Sequence, residues 1–230
     1  MPVRDPGARS RAIANRLLDL ALPASCAGCH REGRPLCGTC RPSLDVRLNR
    51  PPGTPLGLPS DVPAPLLQLE WCAPYEGAVR HALRQLKYGG ERRLIGPLGQ
   101  ALAARWRVAG AGGNLVVPVP VHASRARERG FDQAELLAEA AAANLGLPML
   151  RAVQRDRATV AQFQLNRGAR WVNVRGAFRV RVAVASQVEG RWAILIDDVV
   201  TTGSTLAECA TVLMSAGAAG VSALTVARER

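Results

Sequence analysis

Apolar positions along the chain fall into two kinds of run. Short, nearly unbroken apolar stretches occur at residues 69–73, 115–119, 192–197 and 221–227. Stretches this short and continuous fit strands buried on both faces. Between them lie segments with helical spacing. Residues 76–87 place Val79, Leu83 and Leu86 on one face, and 95–108 predict a second helix. An Ala- and Leu-rich segment at 131–145 predicts a third, and 205–216 a fourth that Gly217 closes. Strands alternating with helices predict an α/β fold, a parallel sheet flanked by helices. Residues 151–176 have no clean period and many Arg and Gln, and are expected to be mostly loop.

The first third of the chain follows another pattern. Residues 1–10 read as a disordered tail, and Ile13, Leu17, Leu18, Leu20 and Ala21 suit a short amphipathic helix at 11–21. That helix and a cysteine-containing module form a unit at 11–48. Residues 49–68 hold a run of prolines from Pro51 to Pro65. Proline fixes φ and removes donors, so this stretch predicts a semi-rigid, extended linker. The α/β domain is then 69–230.

Composition narrows the classes. The 230 residues are 48% hydrophobic and 21% charged, which excludes wholesale disorder. No apolar run is long enough to span a bilayer. The apolar stretch at 12–22 is broken by Arg16 and Asp19, and Pro23 spoils a faint lipoprotein-like site before Cys26, so a cytoplasmic location is expected. The formal net charge of +12 suggests phosphate-rich partners. Lys87 is the single lysine and every other basic residue is Arg, a bias that weakens Arg number as evidence for nucleic acid. The charge concentrates in residues 1–50 and 75–130.

Cys26-x2-Cys29 and Cys37-x2-Cys40 form two knuckles with Gly28 and Gly38 inside them. Paired CxxC units read as a four-thiolate zinc site, closed and therefore structural. A reduced metal-free loop or a redox CxxC is the alternative. A module this small has little core, and zinc binding would fold it. Cys72 and Cys209 read as ordinary buried cysteines, and His81 as a helix residue. Residues 1–50 contain no aromatic, so this module has no stacking platform for single-stranded nucleic acid. Trp71 and Tyr75 could supply one or belong to the core.

The most informative segment runs from Ala193 to Leu206. An apolar strand enters the acid pair Asp197-Asp198, and Thr201, Thr202, Gly203, Ser204 and Thr205 lead into a helix. The loop and helix start would expose backbone N–H groups at the positive end of the helix dipole, an anion pocket. Gly203 lets the backbone curl close to a ligand. Carboxylates repel phosphate, so the acid pair suits sugar hydroxyls, with a divalent metal bridging the anions. A helix cap with Thr packing is the bland alternative, but a cap needs one hydroxyl rather than four.

This segment resembles the PRPP-binding motif of type I phosphoribosyltransferases. Pro118-Val119-Pro120-Val121-His122, followed by Arg125-x-Arg127-x-Arg129-Gly130-Phe131-x-Gln133-Ala134, is similar to the ComF/GntX-type competence proteins. So are Tyr75-x-Gly77-x-x-Arg80, Lys87-Tyr88, Thr159-x-x-Gln162-x-x-Leu165 and Arg170-x-x-Asn173-x-x-Gly176-x-Phe178. The resemblance covers about residues 75–230. It implies a type I phosphoribosyltransferase-like sheet preceded by a small zinc ribbon. Asp197 and Asp198 would hold the ribose hydroxyls, and Thr201 to Thr205 the 5′-phosphate. Lys87, Val119, Pro120, His122 and Arg129 would face the pyrophosphate. Arg157, Gln162 and Arg170 would belong to a flexible hood at 155–175. Two departures stand out: the family often has a double zinc ribbon where this chain has one set, and Asp132 stands where Asn is common.

Two functions follow from these readings. One is an enzyme transferring a phosphoribosyl group from PRPP, with Mg2+, to an unknown acceptor. The other is a DNA-uptake or recombination factor that uses its basic surface and phosphate pocket for non-specific DNA or a regulatory nucleotide, with competence-machinery proteins as candidate partners.

Overall fold

The structure, a computed structural model, describes residues 24–52, 62–121, 130–156 and 175–229. The helix expected at 11–21 lies outside them. Strand β1 (Gln68–Pro74) is followed by helix α1 (Gly77–Tyr88), helix α2 (Ile95–Ala109) and strand β2 (Leu115–Pro118). Helix α3 (Gln133–Leu145) precedes the short strands β3 (Val153–Arg155) and β4 (Phe178–Val180). Strand β5 (Trp192–Val200), helix α4 (Ser204–Ser215) and strand β6 (Gly220–Arg228) complete the order. β1, β6, β5 and β2 form a parallel sheet in that order, and β3 and β4 pair antiparallel. The expected α/β class, a parallel sheet flanked by helices behind a cysteine module, is the one found.

The sheet is buried on both faces because successive side chains point to opposite sides. Val116, Ile194, Ile196, Leu224 and Val226 meet Val79, Leu83, Leu102 and Leu137 of α1, α2 and α3 on one face. Leu115, Val117, Leu195, Val221 and Ala223 meet Leu206, Ala210 and Leu213 of α4 on the other. This is why the strands read as continuous apolar runs. Helices α2 and α3 touch closely: a Cβ on Gly99 would lie 2.4 Å from Cβ of Ala140.

Three differences from expectation have local causes. β5 continues three residues past Asp197, because β6 keeps pairing with it through Val199↔Ala227 and Val200↔Arg228. The acid pair therefore stands on a strand rather than in a loop. α3 begins at Gln133, not 131, because the Asp132 carboxylate accepts the Glu135 N–H and caps it. The stretch expected as loop contains β3, a strand too short for any period to reveal.

Two buried guanidiniums surround one buried carboxylate. Glu70 of β1 pairs with Arg47 at 3.2 Å and with Arg105 of α2 at 2.6 Å, all with side chains at most 1% exposed. Arg105 also donates to the carbonyls of Arg47, Arg50 and Pro51. The segment that follows the cysteine module is thereby fastened to the sheet. Trp71 belongs to this core and is not a stacking platform: it is 2% exposed, with the guanidiniums of Arg47 and Arg228 at 3.8 and 5.0 Å from its ring.

Candidate phosphate-binding site and four-cysteine cluster

The carboxyl ends of β5 and β2 and the start of α4 bring together the described part of the expected site. Val119 donates its N–H to the Ile196 carbonyl at 2.9 Å, one residue short of Asp197. Asp198 donates its N–H to Oδ1 of Asp197 at 2.8 Å. Lys87, in the last turn of α1, reaches Oδ2 of Asp198 with Nζ at 2.7 Å. Lys87 thus faces the acid pair. His122 and Arg129, with the hood residues Arg157, Gln162 and Arg170, lie outside the described residues.

Below the acids the backbone folds into a small recess lined by Asp197, Thr201, Gly203, Ser204 and Thr205. Gly203 has φ +78° and precedes α4, and Oγ1 of Thr202 and Oγ of Ser204 lie 3.0 Å apart. The first turn of α4 has no acidic residue of its own, so its positive end is offered to the recess. A Cβ on residue 203 would lie 2.8 Å from Cγ of Pro63, so glycine is needed for space as well as conformation. Pro63 belongs to the proline-rich stretch, and its contact with this loop was not legible from composition.

The electrostatics are those of a site prepared for opposite charge. Burial, and then the charge of Asp198, push the Asp197 carboxyl up to about 8. Burial pulls the Lys87 ammonium down, but the charge and hydrogen bond of Asp198 outweigh it and raise its pKa overall. Asp132, also raised by burial first, carries a charge that acts on the pair. Because the folded pKa of Asp197 exceeds its unfolded value, Asp197 lowers stability as pH rises from its unfolded pKa, near 4, through about 8. Lys87, whose folded pKa is also raised, changes stability in the same direction, but its contribution is full at neutral pH and is lost only in the alkaline range. Each pKa unit is about 1.4 kcal/mol, and each kcal/mol moves the midpoint of a chain this size by about 2–4 °C. Asp197→Asn is therefore expected to gain roughly 10 °C on the native chain between about pH 5 and pH 8.5, without ligand. A midpoint difference independent of pH would show that Asp197 is already ionised at pH 5.

At the other end of α1 the four cysteines converge. Their Sγ atoms all lie within 4.8 Å of one another, and those of Cys29 and Cys37 are 3.6 Å apart. A tetrahedral zinc with Zn–S bonds of about 2.3 Å places its sulfurs roughly 3.8 Å apart, so the cluster fits that ion. Burial opposes ionisation of Cys26, but backbone N–H groups of Cys37, Cys29 and Gly28 outweigh it and lower the thiol to about 6. Burial, and then the neighbouring thiols, push Cys40 up to about 12. A set in which one thiol ionises readily and another resists is completed by a cation. His30 is exposed and outside this cluster.

No family model matches the chain. It is 32% identical over 203 residues to the DNA utilization protein YhgH of Escherichia coli (strain K12), with 85% of both chains covered. It is 31% identical over 201 residues to the protein of the same name from Salmonella typhi, covering 81% of this chain and 87% of that one. Competence protein F of Haemophilus influenzae is 36% identical over 103 residues, 44% of each chain. Among solved structures, a glutamine PRPP amidotransferase from B. subtilis complexed with ADP and GMP aligns with TM-score 0.38 and 24% identity, over 56% of this chain and 25% of that one. A hypothetical protein from Neisseria gonorrhoeae with bound ppGpp aligns with TM-score 0.35 and 15% identity, over 59% and 79%. Among the described residues no helix is long and apolar enough to cross a membrane. Identity of 31–32% sustained over more than four-fifths of both sequences extends far beyond any one motif, and the chain belongs to the ComF-like family of the DNA utilization proteins YhgH.

Proposed function

We propose that the chain binds PRPP or a related sugar phosphate with Mg2+ and transfers its phosphoribosyl group to an acceptor, within the DNA-handling context of its relatives. The observation that carries this reading is the meeting of Asp197 and Asp198 with the Thr201–Thr205 recess at one strand end. Phosphate alone would not call for two carboxylates; a ligand with both a phosphate and hydroxyls does. Asp197 and Asp198 would accept from the ribose hydroxyls, and the α4 start would hold the 5′-phosphate. Mg2+ would supply charge neutralisation for the pyrophosphate. Catalysis in such a site is mostly positioning and stabilisation of the departing anion, which needs no nucleophile. The four cysteines would hold a structural zinc.

Ligand that binds only the folded state raises the melting midpoint, by about 2.7 kcal/mol in stability at a hundredfold excess over Kd. PRPP with Mg2+ is expected to raise the midpoint of the native chain by roughly 5 °C or more, and not that of the Asp197→Asn, Asp198→Asn variant. No shift at millimolar PRPP would sink the reading.

A second reading, DNA as ligand, is favoured by α1. Arg80 and Arg84 are exposed one turn apart on it, and among the described residues neither pairs with a carboxylate. Binding through them would be non-specific and fall steeply with salt.

A further inference from the structure

The carboxylate of Asp132 has two jobs. Oδ1 accepts the N–H of Glu135 at 3.2 Å and caps α3. Oδ2 accepts the N–H of Val121 at 3.1 Å, across the end of the sheet. Capping needs one acceptor, and Ser, Thr, Asn and Asp supply it about equally well. Holding Val121 as well needs a second acceptor of the same reach, which a carboxylate has and a hydroxyl or carboxamide lacks. Among the described residues, the turn at residues 119–121 is otherwise tied at one end only, by Val119 N–H on the Ile196 carbonyl. Pro120 has no N–H to offer. Asp132 is close enough to Asp197 and Asp198 for their charges to act on one another.

We propose that Asp132 is a positioning residue for the ligand's pyrophosphate: by holding Val121 it fixes the 119–121 turn beside the acid pair, and it touches no substrate itself. A third carboxylate here disfavours a polyanion electrostatically, so its presence is explained by what it holds. The inference rests on the PRPP reading and adds which residue of this chain separates PRPP from sugar phosphates without pyrophosphate.

The test compares PRPP with ribose 5-phosphate, both with Mg2+, on the native chain and on Asp132→Ser by calorimetric titration. Serine still caps α3, so the fold is expected to persist with a midpoint lowered by only a few degrees, but its hydroxyl cannot also reach Val121. With Val121 released, the 119–121 turn must be ordered by the ligand, which lowers PRPP affinity by about tenfold, while ribose 5-phosphate stays within about twofold. If Asp132 were only a repelling charge, its removal would increase the preference for PRPP, because PRPP is the more anionic ligand; a ratio that rises or stays constant overturns the proposal. A native chain that binds neither ligand refutes the PRPP reading itself, and a native chain that binds both equally refutes the pyrophosphate assignment alone. Should Asp132→Ser fail to fold, Asp132→Thr carries the same comparison.

Discussion

Glu70→Ala is expected to cost about 3–5 kcal/mol of stability, the usual loss when one partner of a buried ion pair is removed. Glu70 accepts from Arg47 at 3.2 Å, from Arg105 at 2.6 Å and from Gln68 at 3.1 Å, with no water-facing surface. Burial already pulls the Arg47 guanidinium down, and Glu70 is the group that opposes this. Without the carboxylate, two cations share a dry site. Arg105 would still meet carbonyls of Arg47, Arg50 and Pro51, which limits the loss. Urea unfolding of native and variant chains measures it; a loss under about 1 kcal/mol would mean that the carbonyls alone satisfy the guanidiniums. Because Arg47 and Arg105 also tether the segment after the cysteine module, the variant should expose that segment to proteolysis before the sheet unfolds.

Loss of the four-thiolate centre is expected to have the second large effect. Purified protein should carry about one zinc per chain and Cys26→Ser, Cys29→Ser none, with a melting midpoint lowered by roughly 10 °C or more. The physical reason is where the module sits. A Cβ on Gly28 would lie 2.6 Å from Sγ of Cys40 and 2.7 Å from Cβ of Ala78 in the first turn of α1. Cys26, Ala27, Leu36 and Leu44 share a core with Val79, Leu83 and Leu86 of the same helix. Removing such a metal would therefore loosen α1, and Lys87 at its far end would lose its fixed distance to Asp198. Amide exchange in α1 should accelerate along with the fall in midpoint. Unchanged exchange and midpoint in a zinc-free chain would show that the module holds its shape through the apolar contacts alone.

Much of this molecule can be read from its residues, for reasons tied to particular elements. β2 and β6 are legible because a strand buried on both faces is mostly apolar. The last residues of β5 are not, since Asp197 and Asp198 look like the end of a strand while β6 carries the pairing onward. The Asp132 cap has a local signal, Asp three residues before Glu135 at the start of a helical run. Its second bond, to Val121, has none. The recess at Thr201–Thr205 was foreseeable because its parts are consecutive. The Lys87–Asp198 pair and the Glu70 cluster join residues far apart in sequence, and only the sheet order brings them together. Glu70 in isolation reads as a polar interruption of a strand. It is instead the point where three separate segments meet.

The order β1-β6-β5-β2 sets a timetable for assembly. β6 is synthesised after the other three strands of the sheet, yet it lies between β1 and β5, pairing with β1 from Gln68↔Ser222 and with β5 from Trp192↔Gly220. Until β6 leaves the ribosome, β1 has no partner among the described strands, and the β2–β5 pair has an open edge where β6 belongs. Contacts so distant in sequence close slowly. The nascent chain thus waits with two unpaired apolar edges, a state open to aggregation and to chaperone capture, and the sheet closes in one late step.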